Sequence, residues 1–231
     1  MKMLTVFVSL FLLAAAEKQD LSGKMFTFPL TSNRHYVSLN PELENSNLTA
    51  VTVCLRAFSD LPRSQSLFSL ELPSTHNAFL IFKPKHGAYK LHVEGQSMEF
   101  WGLPDELNAW NSLCATWNGK TGLGQLWVNG KPSVRKGFSR GGFLNGTPKI
   151  VLGQQQENYS GGFQGTQSFV GMLTDVHMWD SVLALDQIAK YSYGGQFQPG
   201  NVLNWSSLDF SKNGYVITEC SKPTVELKHD N

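Results

Sequence analysis

Across residues 48–58 the chain sets Val51, Val53 and Leu55 on one side and Thr52, Cys54 and Arg56 on the other. A period of two with one apolar side commits the stretch to a strand lying on a core. Asp60-Leu61-Pro62 ends it, because proline removes a ladder donor. The same pattern recurs along the chain. Short β-branched and aromatic runs occupy residues 25–29, 35–39, 66–72, 79–82, 89–93, 113–117, 124–128, 133–136, 151–153, 168–173 and 176–179, with Pro73, Pro84 and Gly87 among the breaks. Asn129-Gly130 is the strongest short hairpin signal in the chain. Only residues 181–191 read as a helix, with Leu185, Ile188 and Ala189 on one face and Gly194-Gly195 as its stop. Many short strands and one small helix predict an all-β fold, a two-sheet antiparallel sandwich forming a single domain over residues 17–231. Residues 217–231 are expected to be a polar C-terminal tail.

Residues 1–16 read as a secretory signal peptide: Lys2, an apolar run over residues 4–13, then Ala14, Ala15 and Ala16 as a small-residue cleavage site. That run is too short to span a bilayer, and no later one reaches about 18 apolar residues. The sequence therefore predicts a secreted, extracellular protein. Apolar residues make up 41% of the chain, enough for a sizeable core. Without Lys2, 18 basic residues face 18 acidic ones, so the chain lacks the basic footprint of a nucleic-acid binder or a membrane-surface protein.

Three cysteines in an oxidising compartment leave one over. Cys54 in TVCLRAF and Cys114 in SLCATW sit in apolar strand-like runs, as partners across a core would, and are expected to be bonded. Cys220, in ITECSKP, is left for an intermolecular bond, a capped thiol or no role.

Catalysis is not expected. Glycoside hydrolysis needs two carboxylates flanking the bond, and the nearest candidate group, Asp175, His177 and Trp179 on one strand face, offers one. The six histidines are scattered, and the cysteines lack zinc-ligand spacing. The stretch 150–171, IVLGQQQENYSGGFQGTQSFVG, instead gathers amide and carboxylate oxygens on a glycine-broken loop, which suits a hard cation such as calcium. Four glycosylation sequons begin at Asn47, Asn145, Asn158 and Asn204. Asn47, on a polar turn, is the best placed to carry a glycan.

Several segments resemble one family, in order along the chain. Leu113-Cys114-Ala115-Thr116-Trp117, LWVNGKPSVRKG (residues 126–137), VLGQQQ, GTQSFVG, VHMWDSVL and NVLNW look like their counterparts in short pentraxins of the C-reactive protein and serum amyloid P type. Ser112 and Gly119 depart from the usual signature. The resemblance implies a jelly roll and the Cys54–Cys114 disulfide. It also implies a homo-oligomeric, commonly pentameric ring, with calcium-bridged phosphocholine, phosphoethanolamine or polysaccharide on one face and complement on the other. On the second face Tyr191 matches a family position and Asn129 replaces an acid.

Carried over residue by residue, the metal set is Asn77, Gln155, Gln156, Glu157 and Gln167, with His76 and Gln164 standing where acids are usual. Among these positions Glu157 alone is a carboxylate, so calcium dependence is expected to be weakened and a second ion lost. His76 beside Glu157 would suit a transition metal better. Phe82 matches the apolar wall of the phosphocholine pocket, whose acid falls at Ser97, with Glu99 nearby; His92 carries no assigned role. Two functions remain: a pattern-recognition protein binding phosphocholine or carbohydrate, or a pentraxin-fold interaction or structural protein that has lost calcium-dependent binding.

Overall fold

The computed structural model describes residues 17–41, 43, 46–159 and 161–221; the expected signal peptide and residues 222–231 lie outside them. Two antiparallel sheets face each other. The first runs Lys131–Pro132, Leu123–Val128, Trp110–Asn118, Ala50–Phe58, Gly171–Trp179, Lys24–Phe28 and Ile217–Cys220, with Lys136–Gly137 also pairing to Leu123–Val128. The second runs Phe210–Asn213, Tyr36–Leu39, Lys149–Leu152, Gln65–Leu72, Thr75–Lys85, Ala88–Val93 and Gln96–Trp101. Sequence-distant strands lie side by side in both sheets, as in a jelly roll. A separate two-stranded ribbon pairs Ser46–Leu48 with Leu144–Gly146.

The core lies between the sheets. Val51, Val53 and Leu55 point into it, opposite Phe68, Phe79 and Ile81 from the second sheet, and all six are fully buried. Thr52, Cys54 and Arg56 face outward, toward the helix, as the period of two predicts. Cys54 and Cys114 are directly opposite each other in neighbouring strands, Cα–Cα 4.1 Å, and form a disulfide. The bond joins neighbours within one sheet and lies beneath the helix with Trp127, Trp179, Ile188 and Tyr191; it does not cross the core.

The helix spans Leu185–Ser192, four residues shorter at its start than expected. Thr52 explains the delay: its hydroxyl donates to Ser181 O at 2.6 Å and accepts from Leu183 N–H at 3.0 Å, holding that segment against the sheet. Ala184 is still extended. Ile188 and Tyr191 are the buried face, whereas Leu185 is 64% exposed, contrary to expectation. Gly194, left-handed at φ 73°, closes the helix, and Gly195 N–H returns to Lys190 O.

Other differences have local causes. The expected strand over 133–136 is interrupted between Lys131–Pro132 and Lys136–Gly137, where Ser133 Oγ takes the Leu126 N–H at 3.0 Å. The runs 168–173 and 176–179 merge into Gly171–Trp179, bulged between Thr174 and His177. Of the expected polar tail, Ile217–Cys220 is a strand paired with Lys24–Phe28. Its side chains are half-buried or exposed, so hydropathy carried no signal for it.

Candidate functional site

The outer face of the second sheet is crossed by the chain from Gln154 to Gly162, and glutamines fasten it there. Gln154 is fully buried, its amide donating to Ser32 O at 2.5 Å and His35 O at 3.1 Å. Gln156, also buried, donates from its amide to Lys149 O at 3.0 Å and Ser69 O at 3.3 Å, while its backbone N–H reaches Ser69 Oγ. Glu157 N–H then bonds Gly161 O and Gly162 O, a turn whose left-handed φ values of 116° and 72° suit glycine. The loop is therefore clamped to the sheet by its own side chains.

That clamp assembles a polar cluster at the start of strand Thr75–Lys85. Asn77, in the left-handed region at φ 49°, donates its N–H to Glu71 Oε1 at 2.6 Å and accepts at Oδ1 from the Gln155 amide at 3.3 Å. The Asn77 amide lies 2.8 Å from His76 Nε2, and His76 Nδ1 lies 3.2 Å from Glu71 Oε1. Both ring nitrogens of His76 are thus engaged within the cluster. Glu71 itself is 1% exposed, and sequence reading missed it. Burial pushes its carboxyl above the ordinary range and the Glu157 charge adds to that, offset in part by Asn77 N–H and His76. Glu71 Oε2 and Glu157 Oε1 are both buried without a hydrogen bond.

The remaining predicted residues are placed as follows. Gln164 is exposed and precedes a 3-10 turn, Gly165–Gln167, packed against Arg63, which donates to Thr166 O and Ser168 O. Gln167 Oε1 is buried and unpartnered, but no hydrogen bond among the described residues ties Gln164 or Gln167 to the Glu71 cluster. Phe82 is outside the core, half-buried on the outer face, in register with Lys90. Lys90 in turn lies 3.9 Å from Glu99, and Ser97 is opposite His92. Burial, with Lys90 and His76 nearby, drives the His92 pKa down to about 4, so it is neutral at physiological pH. Asn47 and Asn145 are exposed and directly opposed across the small ribbon. Asn204 is half-buried and accepts from Ser206 N–H at 3.1 Å and Ser206 Oγ at 2.9 Å. Cys220 is a free, exposed thiol on an edge strand.

A sequence model of the Pentaxin family matches residues 24–220. The chain belongs to the pentraxin family. It is 44% identical to serum amyloid P-component of Rattus norvegicus over 93% of this chain and 92% of the relative. The serum amyloid P-component of Homo sapiens is 41% identical over 93% of each chain. The heptameric serum-amyloid-P-like pentraxin from Limulus polyphemus superposes with TM-score 0.78 at 25% identity, covering 87% of this chain and 97% of that one. A pentraxin of this kind is a pattern-recognition protein and not an enzyme.

Pentraxins are in general calcium-dependent, so the cluster is to be judged against that ion. Among the described residues no three His, Cys, Asp or Glu side chains converge as a metal cluster. Calcium, however, takes amide and backbone oxygens as readily as carboxylates. Two buried carboxylate oxygens without partners, Glu71 Oε2 and Glu157 Oε1, beside an amide oxygen at Asn77 fit one oxygen-seeking cation.

The opposite face of this pentraxin is occupied by a closed polar network. Arg56 donates to Asp175 Oδ2 at 3.1 Å and to Tyr191 O and Ser192 O at the helix end. His177 Nε2 bonds Asp175 Oδ1 at 3.2 Å, and His177 Nδ1 accepts Gly200 N–H at 3.3 Å. Burial opposes the Asp175 charge, but the bonds from His177 and Arg56 outweigh it and hold its carboxyl below the usual range. Tyr191 is fully buried, its hydroxyl donating to Asp175 O at 2.7 Å. It anchors the helix to the sheet and is not a surface contact. Asn129 is in the left-handed hairpin turn at φ 50°, its Oδ1 taking Ser112 N–H at 2.8 Å.

Proposed function

We propose that this pentraxin is secreted and oligomerises as a ring, binding phosphoryl-bearing or anionic polysaccharide surfaces through one calcium per chain. The carrying observation is the pair of buried, unpartnered carboxylate oxygens beside Asn77 under the clamped loop. Asn77, Glu157 and backbone oxygens of the loop would hold the ion, which when bound supplies a positive centre for a ligand phosphate or carboxylate. The chain's own residues do the rest. Gln156 and Gln154 hold the loop to the sheet, and Phe82 offers an apolar wall. Lys90, in register with Phe82, attracts an anion and repels a quaternary ammonium. Ser97 offers no charge for choline, and Glu99 is spent partly on Lys90. Selectivity therefore belongs to the phosphate end of phosphocholine and phosphoethanolamine, or to anionic saccharides. Several such sites on one disc would gain avidity over each alone.

The test is retention of the full secreted protein on phosphorylcholine, phosphoethanolamine and anionic-polysaccharide matrices, with calcium and with EDTA. Calcium-dependent retention is expected, weakened by Phe82→Ala and not sensitive to replacing choline with ethanolamine. Equal retention in EDTA, or none in calcium, overturns the proposal in favour of a pentraxin-fold partner that no longer uses calcium. Sedimentation of the same protein with and without reductant reports the ring and whether Cys220 links chains.

A further inference from the structure

Glu71 is a carboxylate in a place where the loop-face geometry has use for one. It follows Ser69, which Gln156 clamps, by two residues on the same strand, and so shares its outward face. It precedes Asn77 by a tight turn whose strands pair irregularly between Leu70 and Leu72. Its Oε1 is taken by Asn77 N–H and His76, and the latter stands where an acid was expected. Its Oε2 is buried with no bond, as is Glu157 Oε1, whose charge acts on Glu71. A buried anion with one oxygen left unpartnered is costly in a protein that satisfies nearly all such groups. Hydrogen-bond donors reach only one side of Glu71; a cation would serve the other.

Resting on the calcium reading above, we propose that Glu71 is a direct calcium ligand in this protein, supplying from the neighbouring strand the carboxylate that His76 lacks. The charge count of the site then becomes two, Glu71 and Glu157, in place of one. His76 acts as a positioning residue that orients Glu71 through Oε1 and leaves Oε2 for the ion.

Calorimetric titration of calcium into the full secreted protein tests this, with Glu71→Gln and Glu157→Gln as paired variants. One ion per chain is expected for the parent, with affinity falling at least about tenfold in each variant. Thermal melting in EDTA guards the interpretation, since Glu71→Gln should melt no lower than the parent if its loss is one of ligation. Glu71→Asp, which keeps the charge on a shorter stem, should bind at an intermediate strength. Parent-like calcium affinity in Glu71→Gln overturns the inference while leaving calcium-dependent recognition standing. No calcium heat in the parent overturns both. Calcium binding that needs Glu71, without retention on any ligand matrix, upholds the inference and sinks the recognition reading.

Discussion

The two outer faces of this sandwich carry polar clusters of similar make-up and opposite condition. Beneath the helix, Arg56, Asp175, His177, Tyr191 and Thr52 hand their polar atoms to one another or to backbone, and none is left over. At the glutamine loop, Glu71 Oε2, Glu157 Oε1 and Gln154 Oε1 are buried and unpartnered. The same low dielectric that strengthens the first network penalises the second. A closed network holds a structure; an open one leaves polar atoms that the chain itself does not satisfy.

That contrast can be broken at its strongest point first. Replacing Cys54 and Cys114 together with alanine reopens a loop of 60 residues beneath the helix and should cost about 4 kcal/mol in denaturant unfolding. Arg56→Ala comes next. It strips Asp175 of one partner and the helix end of its cap, and should cost about 2–3 kcal/mol while leaving calcium affinity unchanged. A loss of calcium binding in that variant would show that the faces are not independent.

The open face should respond in the other direction. Without calcium, Glu157→Gln relieves the repulsion on Glu71 and should raise stability slightly; destabilisation in EDTA would mean that the cluster is already satisfied. A pH slope tests the same face. His92 stays neutral in the folded protein down to about pH 4, whereas an unfolded histidine takes its proton near 6.5. Between those values the unfolded chain binds the extra proton, so stability falls as pH drops through the window. In His92→Gln that part of the slope should vanish from melting curves recorded at several pH values.

Much of the architecture was legible because strands announce themselves by alternation. Val51, Val53 and Leu55 against Thr52, Cys54 and Arg56 determined which side of that strand meets the core. Asn129-Gly130 and Gly194-Gly195 marked turns that need left-handed backbone, and each element ends there. Strands Gln96–Trp101, Phe210–Asn213 and Ile217–Cys220 were silent, because strands with largely half-exposed side chains need no apolar period. The loop stood out by its glutamines and glycines, and its neighbours marked the chain as a pentraxin. Glu71 was not, since six residues and a turn separate it from Asn77 in the sequence.

The sequence by itself thus determined the sandwich and the disulfide partners, which follow from local periodicity and residue type. Only the tertiary structure decided that Glu71 meets Asn77 and His76 and that Tyr191 is an anchor. Both depend on which side chains meet across strands, and cross-strand register is set by the whole sheet.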